Sequence, residues 1–322
     1  MRDTLLKVKG LKKFFPVRRG ILSEGKGYVY AVDGVSFDIK RGETLGLVGE
    51  SGCGKTTTGK TILRLIEPTD GSIEFDGIDI CRLKGDGLRR LRSRMQIIFQ
   101  DPYSSLNPRM RIGSIVGEPL DIHKVAKGSD KEERVVSILK RVGLKREDIN
   151  RYPYQLSGGE RQRIGIARAI ILSPDLVVGD EPVSALDASI QAQVINLLEE
   201  LQEEFHLSYL IISHDLSLIE YMSDRVAVMY LGKFVEIGDS KNLYISPLHP
   251  YTEALLSAIP LLDPTIKREK IILRGEPPSP MNPPSGCYFH SRCSYRFDDC
   301  KMIEPVLKEV NRGHFVACHL RG

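Results

Sequence analysis

The sequence predicts an α/β protein with a mostly parallel sheet covered on both faces, a small antiparallel addition and a helical insert. Three observations carry that reading. Short apolar runs, LGLV (45 to 48), MQIIF (95 to 99), LVVGD (176 to 180), YLIIS (209 to 213) and RVAVMY (225 to 230), alternate with helical patterns such as KTTTGKTILRLI (55 to 66) and IQAQVINLLEELQEEF (190 to 205). Runs that are apolar throughout and too short for helices, set between helical periods, mark parallel strands buried on both faces. SIEFDGIDI (72 to 80) instead alternates around Asp76-Gly77, the dipeptide of a tight hairpin. From about 102 to 172 the pattern is helical with almost no strand signal, as in KEERVVSILKRVGL (131 to 144).

The organisation changes after about residue 240. Prolines cluster in GEPPSPMNPP (275 to 284), which reads as an extended or irregular linker into a tail holding Cys287, Cys293, Cys300 and Cys318. The expected division is a domain over 1–240, with its helical subdomain at about 102–172, and an extension over 241–322. No run of 18 apolar residues occurs and the N-terminus lacks a signal-peptide stretch, so a cytosolic protein without a transmembrane helix is expected. Net charge is +4, and from Pro264 to Gly322 ten Lys/Arg stand against six Asp/Glu, so the tail carries the whole excess. For most of these charges a solvated surface is the plainer reading.

Residues Gly49 to Thr56 read GESGCGKT, the pattern G-x-x-x-x-G-K-S/T, directly after LGLV and before a helical run. Glycines let backbone N–H groups converge on phosphate oxygens, and the following helix turns its positive end to the same anion. The pattern assigns Gly49, Gly54, Lys55 and Thr56 to a nucleotide, with Lys55 reaching the β- and γ-phosphates and the Thr56 hydroxyl holding Mg²⁺, and their neighbours Ser51, Gly52 and Thr57 are expected to join the same site. Cys53 occupies an unrestricted position and is expected to do no chemistry.

LSGGE (156 to 160) offers Ser157 as a helix N-cap, and Gly158 and Gly159 permit close backbone approach. LVVGDE (176 to 181) delivers Asp180 to a strand's carboxyl end, where ligands of open α/β sheets bind, with Glu181 beside it. Asp180 suits Mg²⁺, and Glu181 suits a base or a group that positions water. Gln100 and His214 also sit just past strand ends, within reach of a γ-phosphate. Each feature alone has a plainer reading as a cap or a solvated polar group; five in one chain outweigh it.

GESGCGKT, Gln100, LSGGE, LVVGDE, SALD (184 to 187) and His214, in this order, resemble the nucleotide-binding subunits of ATP-binding cassette transporters over roughly residues 1 to 240. FQDPYSSLNPR (99 to 109), PVSALD (182 to 187), SPLHPYTEALLSAIP (246 to 260) and the tail ending GHFVACHL look like the dipeptide and oligopeptide importer branch, its F-type ATPase subunit, over nearly the whole chain. The resemblance implies an α/β P-loop NTPase core with an antiparallel β subdomain and an α-helical subdomain, plus a small irregular C-terminal metal-binding extension. It implies an ATPase with ATP sandwiched in a head-to-tail dimer, between the P-loop of one subunit and Ser157, Gly158 and Gly159 of the other. Asp187 would lie in the loop coupling the two sites, Gln100 would join Thr56 and Asp180 near Mg²⁺ and link to the membrane partner, and Glu181 and His214 would position the attacking water. An aromatic residue early in the chain stacks on adenine in this family; Phe15 is the best match, with Phe14 and Tyr30 competing because VRRGILSEGKGY (17 to 28) lengthens the segment.

The implied partners are a sister ATPase subunit (a homodimer being the alternative), two transmembrane permease subunits and, indirectly, an extracytoplasmic peptide-binding protein. The implied place is the cytoplasmic face of the membrane, as a peripheral subunit. A nickel or other small-solute importer shares the same motor, and a soluble cassette ATPase acting on nucleic acid is a different class. The tail has no dense Lys/Arg run, so no nucleic acid is expected. The four cysteines are spaced C-x₅-C-x₆-C-x₁₇-C, without the short knuckles of structural zinc sites. Four thiolates at wide spacing fit an iron–sulfur cluster, and some members of this branch carry a 4Fe–4S cluster there. Zinc and free thiols or a disulfide remain the alternatives, and His290, His314 and His319 lie near enough in sequence to be substitute ligands.

Overall fold

The computed structural model describes residues 3–18, 26–259 and 270–321. Most of the early insert, 19–25, and residues 260–269 ahead of the proline-rich linker lie outside the described residues. The strands are β1 (Thr4–Arg18), β2 (Lys26–Lys40), β3 (Thr44–Val48), β4 (Asp70–Phe75), β5 (Ile78–Asp79), β6 (Met95–Ile98), β7 (Leu176–Asp180), β8 (Ser208–Ile212), β9 (Arg225–Tyr230), β10 (Lys233–Asp239), β11 (Lys308–Asn311) and β12 (His314–Val316). The chain divides into two compact units, the first mainly Arg82–Ile212 and the second Leu6–Asp38, Leu45–Cys81 and Ser213–Gly322.

In the first unit β6, β7 and β8 run parallel, with Ile98 opposite Gly179 and Asp180 opposite Ile212. Every residue of β7 and β8 is buried, which is why their sequences are apolar throughout instead of alternating. Between β6 and β7 the described chain forms helices Pro102–Ser105, Ile112–Ile122, Gly128–Arg141 and Gly158–Ile170 and short 3₁₀ turns, and no strand. The helix Ala188–Phe205 buries Val194, Leu197, Leu198 and Leu201, an i, i+3, i+4, i+7 stripe, and ends at His206 in the left-handed conformation.

In the second unit a sheet has the order β2-β1-β4-β5, with β4 antiparallel to both β1 and β5. Its β4–β5 hairpin turns at Asp76 and Gly77, both at positive φ, as the dipeptide predicts. A second set runs β11-β12-β10-β9-β3, with β3 and β9 parallel and the rest antiparallel. The tail is therefore less irregular than expected: β11 and β12 form a hairpin, and β12 pairs along β10 with Glu236 opposite Val316. The helix expected over 55–66 stops at Ile62, because Arg64 adopts positive φ and its buried guanidinium bonds the Ile80 carbonyl and Glu67.

A buried carboxylate ties the tail hairpin down. Glu236 is 0% exposed and accepts from the backbone N–H of Leu248 (2.8 Å) and His249 (2.9 Å), while His314 Nε2 lies 2.7 Å away. Three partners supply what a carboxylate needs to leave water without a large desolvation cost. Among the described residues no helix is long and apolar enough to cross a membrane.

Candidate functional site

The second unit holds the glycine-rich loop. β3 runs into Gly49–Gly54, and the helix Lys55–Ile62 follows. Two glycines there are obligatory on geometric grounds. A Cβ on Gly54 (φ +111°) would stand 2.0 Å from the Ala31 carbonyl oxygen, and one on Gly49 (φ +151°) 2.2 Å from that of Met229. Lys55 is 6% exposed, and its ammonium donates to the carbonyls of Gly49 (2.7 Å) and Glu50 (3.0 Å), so it already lies along the loop it is predicted to serve. Ser51 and Gly52 are exposed on the loop, and Thr56 and Thr57 lie half-buried on the first helical turn. Cys53 is buried 3.8 Å from Lys55 Nζ; burial raises its thiol pKa despite the cation, which keeps it protonated at neutral pH.

His214 is exposed, one residue beyond Ser213, whose N–H donates to Leu47 of β3. Of the three aromatics proposed for adenine, Phe14 and Tyr30 meet edge to face at 4.7 Å, and Phe15 lies under Lys13 Nζ at 4.9 Å. All three are half-buried, and nothing in the geometry ranks one above the others.

The first unit holds the other predicted residues. Asp180, 4% exposed, ends β7, and Glu181 follows at positive φ. Gln100 Nε2 donates to Glu181 Oε2 at 2.7 Å, so two residues 81 apart in sequence share one site. Ser157 caps the helix Gly158–Ile170 in a reciprocal box with Glu160, whose carboxylate accepts from the Ser157 N–H and hydroxyl and is thereby held below its usual pKa. Gly158 is exposed, and Gly159 is buried where a Cβ would meet Ile190 Cγ2 at 2.6 Å. Asp187 accepts from the Ile190 N–H at 3.0 Å, so Ile190 joins the Gly159 turn to the Asp187 loop.

The tail gathers its cysteines. All four are free thiols. Burial, and then the neighbouring Cys300, Cys318 and Cys293, push Cys287 up to about 11, and Cys293 and Cys318 are raised for the same reasons. Thiols that act on one another electrostatically occupy one neighbourhood, and the Cys287 N–H donates to the Cys300 carbonyl at 2.8 Å. A metal centre is nevertheless not shown: among the described residues no group of His, Cys, Asp or Glu is placed to hold a metal ion. The three candidate histidines are engaged elsewhere, His290 Nδ1 at the Cys287 carbonyl (2.8 Å), His319 Nε2 at the Ile303 carbonyl (2.8 Å) and His314 at Glu236.

Sequence reasoning missed Arg292 and Tyr251. Arg292 grips the carboxylate of Glu50 with both terminal nitrogens, at 2.7 and 3.0 Å, and the Tyr251 hydroxyl accepts from the Glu50 N–H at 2.8 Å. A cavity of about 780 Å³ lies elsewhere in the same unit, lined by Asp33, Lys233, Tyr288, Glu304 and Phe315, and includes no residue of the glycine-rich loop.

A family profile described as ABC transporter matches residues 32–184, and one described as the C-terminal region of oligopeptide/dipeptide transporters matches 235–300. The chain is 55% identical over 322 residues to the oligopeptide transport ATP-binding protein AppF of Bacillus subtilis, covering 99% of this chain and 98% of that one. It is 55% identical over 314 residues to a putative peptide import ATP-binding protein of Brucella ovis, covering 98% and 97%. Among solved structures, the ATP-binding cassette MJ0796 in a dimeric post-hydrolysis state bound to ADP and Pi matches with TM-score 0.65 and 29% identity, over 73% of this chain and 99% of that one. A component of the cbiONQ transporter complex of Clostridium perfringens matches with TM-score 0.64 and 28% identity, over 76% and 92%.

Proposed function

The chain belongs to the ATP-binding subunits of the oligopeptide/dipeptide ABC transporter family, and on that premise we propose that it hydrolyses ATP to energise import of dipeptides or oligopeptides through a membrane permease. The observation that carries this reading is identity of 55% with a peptide-transport relative over 99% of the chain, loop and tail together. The match of 235–300 to the peptide-transporter C-terminal region favours a peptide over a nickel ion.

The residues divide the work by position. Lys55 would neutralise the β- and γ-phosphates while the loop N–H groups and the helix beginning at Lys55 bind the anion. Glu181, with Gln100 donating to it, would orient the attacking water, and His214 would face the γ-phosphate with it. The first turn of the helix capped by Ser157, with Gly158 exposed, would present N–H groups to a nucleotide held by a second subunit. Phe15 would stack on adenine, and Asp187 would couple the two sites. Thr56, Gln100 and Asp180 each carry an oxygen of the kind Mg²⁺ takes and would hold it, and the ion would spread the charge of the transferring phosphoryl group. ATP that binds the closed dimer better than the open one turns binding into work on the permease.

Residues 1–240 are taken as the nucleotide-binding domain, with its helical part at about 102–172, and 241–322 as the extension. Cys287, Cys293, Cys300 and Cys318 would hold a 4Fe–4S cluster, with zinc as the alternative. A single tetrahedral ion needs sulfurs about 3.8 Å apart, whereas a cluster accepts a wider set, and its negative charge would be offset by the basic tail. A staple for a tail with little core is the role its size favours. The partners proposed are a sister ATPase in a head-to-tail heterodimer, two permease subunits and, indirectly, an extracytoplasmic binding protein, with this subunit peripheral at the cytoplasmic face. Co-expression with such permease subunits should yield a complex whose ATP hydrolysis rises when peptide-loaded binding protein is added. A chain that neither co-purifies with a permease nor hydrolyses ATP in its presence would overturn the proposal.

A further inference from the structure

Every polar group of Glu50, the second residue of the glycine-rich loop, is engaged, and two of its partners come from the C-terminal region. Its carbonyl accepts from Lys55 Nζ at 3.0 Å, and its N–H donates to the Tyr251 hydroxyl at 2.8 Å. Its carboxylate takes Arg292 Nη1 on Oε2 at 2.7 Å and Nη2 on Oε1 at 3.0 Å. The Arg292 side chain is 7% exposed, and its guanidinium lies 6.0 Å from the ring centre of Tyr230. Tyr230 packs against Tyr251 (4.7 Å) and Phe289 (5.3 Å), so the arginine rests on an aromatic bed built by the strand β9 and the extension.

This arrangement has two physical consequences. A two-pronged, charge-assisted pair fixes both position and angle of the carboxylate, as a single ammonium would not. A carboxylate on a loop proposed to hold polyphosphate is also a like charge close to the ligand, and a cation paired to it screens that repulsion.

We infer that Arg292 is a positioning residue of the nucleotide site, which through Glu50 holds the glycine-rich loop and cancels a carboxylate that would otherwise repel ATP. The inference rests on reading Gly49–Thr56 as a nucleotide site. Because Arg292 precedes Cys293, it also makes the cysteine-bearing tail a determinant of how tightly the loop binds nucleotide.

The test is the Kd for ATP of the full chain, with circular dichroism on every variant. Arg292→Ala should bind ATP about 10-fold more weakly than the parent and Arg292→Lys about 3-fold, the lysine keeping the charge but not the fork. The double variant Glu50→Gln/Arg292→Ala should return to within about 3-fold of the parent, because the repelling charge is gone. A folded Arg292→Ala that binds ATP as the parent does overturns the inference, and so does a double variant as weak as Arg292→Ala, which marks a merely structural role. Should Arg292→Ala not fold, Arg292→Lys decides: affinity equal to the parent overturns the inference. A parent that binds no ATP removes the nucleotide reading and the inference together.

Discussion

The side-chain amide of Gln100, just past β6, donates to the carboxylate of Glu181, just past β7, across 2.7 Å. Adjacent parallel strands end at the same level, with Ile98 opposite Gly179, so the residues that follow them emerge side by side. A group proposed to position water must itself be held, and this bond holds the Glu181 carboxylate. Glu181→Gln should lower ATP hydrolysis by about 100-fold or more while leaving ATP binding within about 3-fold, and Gln100→Ala should cost about 10-fold. Steady-state hydrolysis beside equilibrium binding checks this; Glu181→Gln at parental rate would contradict it.

Lys55 and Gly54 fail by different routes. Lys55→Ala removes the cation that spans the loop carbonyls and should weaken ATP binding by about 100-fold in a folded protein. Gly54→Ala places a Cβ against the Ala31 carbonyl and should also lower the unfolding free energy, by about 2 kcal/mol or more. Paired denaturation and binding curves distinguish the two.

His249 should make the protein acid-sensitive. Its imidazole is fully buried, with Nδ1 accepting from the Tyr251 N–H at 3.0 Å and the Phe289 ring 5.6 Å away, and burial holds its pKa down to about 4 against the opposing pull of Glu236. A histidine whose folded pKa lies below its unfolded value of 6.5 is neutral in the fold, while the unfolded chain takes up the proton first. Its contribution is whole above about pH 6.5, is lost as pH falls from there to about 4, and amounts to roughly 3 kcal/mol. Urea midpoints at pH 7.5 and 5 should show the drop, and His249→Gln should reduce it. An equal drop in that variant would assign the sensitivity to another group.

The cysteine tail predicts its own metal content. Protein purified without oxygen should carry about four irons and four sulfides per chain, and Cys300→Ser should lower both. One zinc per chain without iron would select the alternative, and no metal in the parent would leave the four thiols as packing.

What was legible in the sequence follows from which forces are local. β7 and β8 were readable because burial on both faces demands unbroken apolar runs, and the β4–β5 turn because Asp76-Gly77 tolerates positive φ. Ser157 was readable as a cap because a helical run follows it directly, and its reciprocal partner Glu160 stands only three residues on. β11 was not, since all four of its residues are exposed and show no alternation. Nor was the Arg292–Glu50 pair, whose members lie 242 residues apart, with Glu50 at a position the loop pattern leaves open. The pairing of β12 with β10 escaped for the same reason: it joins residues about 80 apart, with Glu236 opposite Val316 and in contact with His314.

The most direct measurement is uptake of a labelled oligopeptide into vesicles holding the permease, with ATP and either the parent chain or Glu181→Gln on the cytoplasmic side. The account predicts uptake that requires ATP, accompanies its hydrolysis and is lost with Glu181→Gln. Uptake that proceeds equally with Glu181→Gln, or ATP hydrolysis that moves no peptide, would contradict it.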